Sequence, residues 1–232
     1  MSARLVIVTG GGRGIGRATC RRFAAAGDQV VAVARTAAEI EETRDQIQAD
    51  GGVCAACSAD LGRCEEVERL IDSVHREFGR ADVLVNNAGM VVKGPAATMD
   101  PAAFEAMVAV NISAIFHATR RVWPIMEAQG GGTIINVSSM AAFDPFPGLG
   151  TYGATKAWVN TFTLGLAGEG RKAGIRVFGV APGSVETKML RSIFPDLPAH
   201  RVLSPDQLAD TIFAVARPEF AHATGQVIAV RS

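Results

Sequence analysis

The sequence predicts an α/β protein whose parallel sheet is covered by helices on both faces. Strand-like and helix-like patterns alternate along all 232 residues, and a glycine-rich segment directly follows the first apolar strand. Polar motifs recur where predicted strands end. This alternation is typical of a doubly wound sheet, in which ligands bind beyond the carboxyl ends of the strands. We expect one domain over residues 1–232 with a mostly parallel, seven-stranded sheet.

Each element follows from the spacing of its apolar residues. Short apolar, β-branched runs predict strands, and apolar residues three and four apart predict helices. The predicted strands are residues 5–9, 30–34, 53–59, 83–86, 133–138, 175–180 and 226–230. The predicted helices are residues 15–26, 37–50, 65–78, 101–128, 152–172 and 205–216.

Charge and hydropathy argue against nucleic-acid and membrane partners. Twenty-three basic residues balance twenty-three acidic ones, and no long run of like charge occurs. No stretch reaches the roughly 18 to 20 apolar residues of a membrane helix, and no leader-like segment precedes the first strand. We therefore expect a cytoplasmic protein with a small-molecule ligand.

Cysteine and histidine usage predicts no metal site. The four cysteines do not form a disulfide framework, which fits a reducing compartment. Cys54 and Cys57 have the spacing of a zinc or redox pair, but no second pair follows them. The four histidines are dispersed along the chain.

A glycine-rich turn, Thr9-Gly10-Gly11-Gly12-Arg13-Gly14-Ile15-Gly16, lies between the first strand and the first helix. Glycines permit a tight turn and close approach of the backbone to a pyrophosphate, which the amides at the helix start can bind. With a strand before it and a helix after it, the turn predicts a Rossmann-type dinucleotide site.

The only tyrosine, Tyr152, precedes Lys156 by one helical turn. An ammonium at about 4 Å, with an effective dielectric constant of about 20, contributes roughly 4 kcal/mol. We therefore expect Lys156 to lower the tyrosine pKa from about 10 by roughly three units, towards neutrality. Such a phenol suits proton transfer. The alternative is a surface tyrosine that happens to lie near a lysine.

Together these motifs resemble the classical short-chain dehydrogenases/reductases, whose nucleotide turn reads T-G-x-x-x-G-x-G. The resemblance covers nearly the whole chain. Further matches, in order, are Asp60-Leu61, Asn86-Asn87-Ala88-Gly89, Asn111, Ser139, Tyr152 with Lys156, and Pro182-Gly183 with Thr187. The family places its serine thirteen residues before the tyrosine, which selects Ser139 over Ser138.

The resemblance implies an NAD(P)-dependent oxidoreductase acting on CH–OH groups. It assigns Tyr152 as proton donor or acceptor, Ser139 as a hydrogen-bond partner of the substrate oxygen, and Asn111 as the holder of a relay water. Lys156 would lower the pKa of Tyr152 and hold the nicotinamide ribose. The alternative is a non-catalytic dinucleotide sensor on the same fold, which would not need this catalytic set.

NADP(H) is the expected cofactor, in preference to NAD(H). NAD enzymes of this type place an acid at the end of the second strand, where this chain has Ala34-Arg35-Thr36, and Arg13 could reach the same phosphate. The alternative is that both arginines are solvated. The predicted cofactor contacts are Gly10, Gly12, Arg13, Gly14, Ile15, Gly16, Arg35, Asp60, Leu61, Asn87, Ala88, Gly89, Tyr152, Lys156, Pro182, Gly183, Val185 and Thr187.

The substrate cleft is expected to be apolar and open, because only a short segment between Thr187 and Pro205 could cover it. We expect a carbonyl or alcohol with hydrophobic bulk, or a carrier-attached carbonyl such as a 3-oxoacyl thioester. The predicted cleft residues are Met90, Val91, Met140, Ala141, Ala142, Phe143, Phe146, Leu149, Ser184, Met189 and Leu190. Basic residues that could contact an acidic carrier, or be merely exposed, are Arg120, Arg121, Arg171 and Lys172.

Three departures from the family pattern concern places outside the catalytic set. Phe178 stands where the family frequently has asparagine, and glycines at 165, 168 and 170 weaken the end of the tyrosine-bearing helix. The sequence stops at Ser232, where the family continues through Asp-Gly-Gly, which affects the usual tetramer. We expect a homodimer or homotetramer, formed through helices 101–128 and 152–172.

Overall fold

A computed structural model describes residues 3–232, and seven strands in it form one sheet. The sheet order is β3-β2-β1-β4-β5-β6-β7, and every neighbouring pair is parallel. The predicted sheet is confirmed, with parallel pairing throughout. The strands are β1 (Leu5–Thr9), β2 (Gln29–Ala34), β3 (Val53–Ser58), β4 (Val83–Asn86), β5 (Gly132–Val137), β6 (Ile175–Pro182) and β7 (Val227–Val230).

The helices follow the sequence prediction with two differences. The predicted helix over 101–128 contains a π-helical turn, Ala109–Ser113, between two α-helical parts, and a short helix that was not predicted follows β6. The helices are α1 (Gly14–Ala25), α2 (Ala37–Ala49), α3 (Cys64–Phe78), α4 (Pro101–Val108), α5 (Ala114–Ala128), α6 (Gly150–Gly170), α7 (Lys188–Ile193) and α8 (Pro205–Val215).

Two apolar clusters hold the helices to opposite faces of the sheet. On one face, α1, α2 and α8 contribute Phe23, Ile40 and Phe213, and the Phe23 and Phe213 rings meet edge to face at 5.2 Å. On the other face, α3, α5 and α6 contribute residues such as Ile71 and Val122. The layered arrangement leaves the carboxyl edge of the sheet for the loops.

The sheet reverses its strand order between β1 and β4, and hydrogen bonds join the two strand ends there. The Thr9 hydroxyl accepts from the backbone N–H groups of Asn87 and Ala88 at 3.0 and 3.1 Å. The Asn87 side-chain amide donates to the Thr9 carbonyl at 2.9 Å. The glycine turn after β1 is thereby fixed against the loop after β4, at the position where doubly wound sheets bind ligands.

Two of the departures noted in the sequence have a packing explanation. Phe178 is fully buried in the apolar cluster, where an asparagine would need a polar partner. At Gly170 a Cβ would lie 2.4 Å from the Ile175 carbonyl oxygen, so the end of α6 requires glycine. Nothing in the structure explains Gly165 or Gly168, whose Cβ positions are open.

The combined helix Pro101–Ala128 is long and apolar enough to cross a membrane by length and composition alone. The sequence was expected to contain no such stretch, and this expectation is wrong by the criterion of length and mean hydropathy. Helices at the centre of a folded domain meet the same criterion, and side chains of this helix, Met107, Val122 and Met126 among them, are buried in the fold. Packing accounts for part of its hydropathy, since 33% of its most apolar 18-residue window is buried.

Candidate active site

A cleft of about 690 Å³ lies at the carboxyl edge of the sheet. Its volume is in the range of ligand sites. All eighteen of the predicted cofactor contacts line it, from the glycine turn through the loops after β2 to β6. Ser139 lines it as well, whereas Asn111 lies behind its wall and is fully buried.

The glycine turn has a backbone that side chains would disrupt. Gly10 and Gly14 have φ angles of +68° and +51°, which favour glycine. A Cβ at Gly16 would lie 2.0 Å from the Gly10 carbonyl oxygen. No side chain caps the start of α1, so its first N–H groups are available to an anion in the cleft. These features fit a dinucleotide pyrophosphate.

The end of the cleft near β2 carries two arginines and an acid. The Nη1 atom of Arg13 lies 3.2 Å from a carboxylate oxygen of Glu39, in the first turn of α2. Arg13 is therefore already paired. The strand end lacks an acid, as the sequence shows, but the first turn of α2 supplies one at Glu39. In the described part of the chain, the side chain of Arg35 makes no ion pair.

Tyr152 and Ser139 both line the cleft. Burial raises the pKa of the Tyr152 phenol, and a hydrogen bond with the Ser139 hydroxyl lowers it by less. Lys156 does not contribute to this balance. The expectation that the lysine draws the phenol pKa towards neutrality is therefore wrong in this structure, because loss of hydration disfavours phenolate.

Lys156 is buried, with only 3% of its surface exposed, and its ammonium donates to the Val137 carbonyl oxygen at 2.9 Å. Burial lowers its pKa from 10.5 to about 8. The side chain extends from α6 to the end of β5, which explains its poor hydration. A lysine with this pKa changes charge at mildly alkaline pH.

Asn111 lies in the π-helical turn and is held on three sides. Its side-chain oxygen accepts from the backbone N–H of Met90 at 2.9 Å, and its amide donates to the Met90 carbonyl oxygen and to the Thr155 hydroxyl at 2.9 and 3.0 Å. A Cβ at Gly89 would lie 3.4 Å from the Asn111 side-chain oxygen and 3.5 Å from the Lys156 ammonium. The space above Gly89 therefore connects the two side chains.

The two neighbouring serines have different surroundings. Ser138 is buried, and its hydroxyl donates to the Lys156 carbonyl oxygen at 3.1 Å, which is a structural contact. The Ser139 hydroxyl accepts from the Ala141 backbone N–H at 3.1 Å and contacts Tyr152. The hydroxyl that meets the phenol is thus that of Ser139.

The segment after β6 forms a lid, and backbone hydrogen bonds join the two ends of this segment. Leu203 exchanges backbone hydrogen bonds with Ser184 and Glu186, each 2.9 Å long. Within the lid, Arg191 pairs with the Glu186 carboxylate and donates to the Leu197 carbonyl oxygen at 2.6 Å. The lid is short, but it has its own internal support.

The tip of the lid reaches the loops on the other side of the cleft. The Phe194 ring lies 5.8 Å from the ring of Phe146 and 5.2 Å from the ammonium of Lys93. The expectation of an open site is therefore wrong at this end.

Nine of the eleven predicted substrate contacts line the cleft, but Ala142 and Phe143 do not. The Phe143 side chain instead turns outward and is 57% exposed.

Two basic residues considered for an acidic carrier are engaged within the chain. Arg120 pairs with Glu68 at 3.0 Å, and Arg121 forms two hydrogen bonds with Asp72 at 2.5 and 2.7 Å. Their charges are thereby balanced by α3. These two arginines lose their support as carrier contacts.

Two buried thiols, Cys20 and Cys54, have raised pKa values. Burial raises the pKa of Cys20 well above its usual range and that of Cys54 to about 11, so both stay protonated at neutral pH. Within residues 3–232, no three His, Cys, Asp or Glu side chains are grouped closely enough to hold a metal ion.

Sequence reasoning missed four residues of this region. Thr155 holds Asn111, and it lies inside the motif that carries Tyr152 and Lys156, but its spacing did not suggest a role. Glu39 was missed because only the strand end was searched for an acid. Phe194 and Lys93 meet only through tertiary contacts, for which the sequence carries no signal.

The fold and the cleft define an NAD(P)-dependent oxidoreductase acting on CH–OH groups. A glycine turn for a dinucleotide opens onto the same cleft as a serine, a tyrosine and a lysine. The family model for short chain dehydrogenases matches residues 4–198. The chain belongs to the short-chain dehydrogenase/reductase family.

Three relatives illustrate the similarity. The chain is 36% identical to an acetoacetyl-CoA reductase of Allochromatium vinosum, over 96% of this chain and 95% of that one. It is 35% identical to a 3-oxoacyl-[acyl-carrier-protein] reductase of Synechocystis, over 99% and 96%. A 7α-hydroxysteroid dehydrogenase structure, complexed with NADH and 7-oxo glycochenodeoxycholic acid, is similar with a TM-score of 0.92 and 31% identity, over 98% of this chain and 92% of that one.

Proposed function

We propose that the protein is an NADPH-dependent carbonyl reductase, which also oxidises the corresponding alcohol, with Tyr152 as its acid/base. The observation that carries the proposal is that Ser139, Tyr152 and Lys156 line the same cleft as the glycine turn. The bound dinucleotide supplies the hydride. The chain's own residues orient the substrate and move the proton.

Each residue of the catalytic set has a separate task. The Tyr152 phenol donates its proton to the substrate carbonyl oxygen during reduction. Ser139 hydrogen-bonds the same oxygen and stabilises the charge that develops on it. Lys156 holds the ribose hydroxyls, and Asn111 supports a water-filled path from Lys156 through the space above Gly89.

The raised pKa of Tyr152 favours reduction at neutral pH. Burial raises the pKa of Tyr152, which keeps the phenol protonated and ready to donate. Oxidation of an alcohol needs phenolate, which becomes available only at higher pH. We therefore expect the ratio of oxidation to reduction rates, each measured at saturating substrate, to rise with pH.

The preference for NADPH rests on Arg35. Its guanidinium follows β2 directly and lines the cleft, and it has no ion-pair partner in residues 3–232. A 2′-phosphate would supply the negatively charged partner that the Arg35 guanidinium lacks. In Arg35→Asp we expect kcat/KM for NADPH to fall about a hundredfold, since each tenfold change needs about 1.4 kcal/mol. An unchanged preference would remove Arg35 from the site.

The substrate is proposed to be an apolar ketone or a 3-oxoacyl thioester. The side chains around the Tyr152 end of the cleft are mostly apolar, with Met90, Met140, Leu149 and Leu190 among them. The names of similar proteins include reductases of acetoacetyl-CoA and of a carrier-bound 3-oxoacyl group. Turnover of a free thioester equal to that of its carrier-bound form would argue against a carrier contact.

A screen of NADPH oxidation tests the proposal as a whole. Ketones, aldehydes, quinones and 3-oxoacyl thioesters are offered to the wild type and to Tyr152→Phe. We expect the variant to bind NADPH with unchanged Kd while turnover falls at least a thousandfold, because the proton donor is lost. Turnover that survives in the variant would refute the mechanism, and dinucleotide binding without any turnover would favour the sensor.

Self-association and a cytoplasmic location belong to the same proposal. Large apolar side chains are exposed on the two helices expected to form the contact between copies, at Phe104, Phe116 and Leu164. Burial of this surface would stabilise a homodimer or homotetramer. Light scattering during size exclusion gives the mass, and fractionation of cells gives the location. A monomer at micromolar concentration would contradict the first expectation.

A further inference from the structure

Glu39 places a carboxylate at the end of the cleft where the proposed 2′-phosphate would bind. The residue lies in the first turn of α2 and lines the cleft together with Arg13, Arg35 and Thr36. Its side chain is only 26% exposed, and one of its oxygens is 3.2 Å from the Arg13 guanidinium. The acid and both arginines therefore face the same ligand.

The position of Glu39 is fixed by its surroundings. Its backbone carbonyl oxygen accepts hydrogen bonds from the Arg17 guanidinium at 3.3 Å and from the Thr43 hydroxyl at 3.0 Å. A Cβ at Gly12 would lie 2.9 Å from the Cβ of Glu39, so the side chain begins directly against the glycine turn. The backbone of Glu39 is thereby held beside the glycine turn, so its side chain starts at the rim of the cleft.

This arrangement treats the two dinucleotides differently. A phosphate monoester carries a charge of about −1.5 to −2 near neutral pH. It would meet one unpaired guanidinium at Arg35, one at Arg13 that is already paired, and the negative charge of Glu39. The ribose hydroxyls of NAD carry no charge and can donate hydrogen bonds to a carboxylate. Glu39 therefore favours NAD(H), whereas Arg35 favours NADP(H).

We propose that Glu39 is a specificity-determining residue that limits the preference for NADP(H) set by Arg35. The inference rests on the proposed cofactor site. It explains how one cleft can carry both a cation for the 2′-phosphate and an acid against it: the enzyme uses NADPH first but retains measurable affinity for NAD(H). Removing the carboxylate charge also frees Arg13 for the phosphate.

Calorimetric titration with NADP⁺ and NAD⁺ tests the role of Glu39, with adenosine 2′,5′-bisphosphate and AMP as fragments that lack the nicotinamide. Glu39→Gln keeps the size of the side chain and removes its charge. We expect its Kd for NADP⁺ and for the bisphosphate to decrease about tenfold. The Kd values for NAD⁺ and AMP should either stay within about twofold of the wild-type values or increase.

Glu42→Gln is the matched control. Glu42 lies one turn further along α2, binds Arg17 at 2.6 and 2.8 Å, and does not line the cleft. Its loss should leave the ratio of the two Kd values unchanged. A weaker affinity of Glu39→Gln for NADP⁺ would mean that Glu39 only orients Arg13 and would overturn the proposal, as would an unchanged ratio.

The experiment separates this inference from the proposed function. A wild type that binds neither dinucleotide nor either fragment refutes both. A wild type that binds and turns over NADPH, with a Kd ratio insensitive to Glu39, refutes only the role of Glu39. Binding by the fragments also needs no substrate, so the test is independent of finding the correct carbonyl.

Discussion

Replacing Lys156 by methionine tests whether the site lowers the stability of the fold. The ammonium is buried and has one hydrogen-bond acceptor in the chain, the Val137 carbonyl oxygen. Burial brings the pKa of Lys156 from 10.5 to about 8. This difference corresponds to about 3 kcal/mol by which the charged lysine destabilises the folded state at pH 7.

The sign of the pH dependence follows from proton binding. Well below pH 8 the lysine is charged in both the folded and the unfolded state, so the penalty is complete and constant. Between pH 8 and 10.5 the unfolded chain keeps its proton while the folded protein releases it, so the free energy of unfolding rises with pH. From pH 7 to 9.5 the wild type should gain about 2 kcal/mol relative to Lys156→Met.

Urea unfolding followed by circular dichroism, without dinucleotide, measures this difference. The methionine variant also leaves the Val137 carbonyl oxygen without its donor, which costs about 1–3 kcal/mol independently of pH. The change of the difference with pH is therefore the informative quantity. Lys172→Met, at an exposed lysine, is the control and should follow the wild type. Parallel curves for wild type and Lys156→Met would refute the reasoning.

Three further substitutions have defined outcomes. Gly16→Ala brings a methyl group within 2.0 Å of a backbone oxygen, so we expect a loss of at least about 3 kcal/mol in urea unfolding and no dinucleotide binding in calorimetry. Gly89→Ala fills the space between Asn111 and Lys156 in ordinary contact, so kcat should fall about tenfold at an unchanged melting temperature. Phe194→Ala removes the wall at the lid tip, so kcat/KM for bulky ketones should rise about tenfold relative to small ones.

The sheet could be predicted from the sequence because its signals are local. Apolar β-branched runs such as residues 30–34 bury both faces of a strand and therefore read clearly as parallel-sheet strands. The glycine turn was predictable for a similar reason: the requirement for glycine at Gly10, Gly14 and Gly16 arises from the backbone of one short segment.

The π-helical turn at Asn111 could not be predicted in this way. The helical spacing of apolar residues continues across it, so the sequence reads as one helix over 101–128. The turn aims the Asn111 side chain at the Met90 backbone and at Thr155, which belong to a distant loop and to another helix. Only the contacts of Asn111 with Met90 and Thr155 explain why the helix changes from α to π geometry at this turn.

The error over the tyrosine pKa has the same origin. The spacing of Tyr152 and Lys156 fixes that they share a helix face, but the pKa depends on hydration and on where the ammonium points. In the fold, Lys156 donates to Val137, and burial outweighs every favourable contact of the phenol. A charged group with an unfavourable environment is therefore present before any dinucleotide binds. Ribose hydroxyls at the proposed site would offer Lys156 new acceptors, so dinucleotide binding should raise its pKa and become tighter as the pH falls through 8.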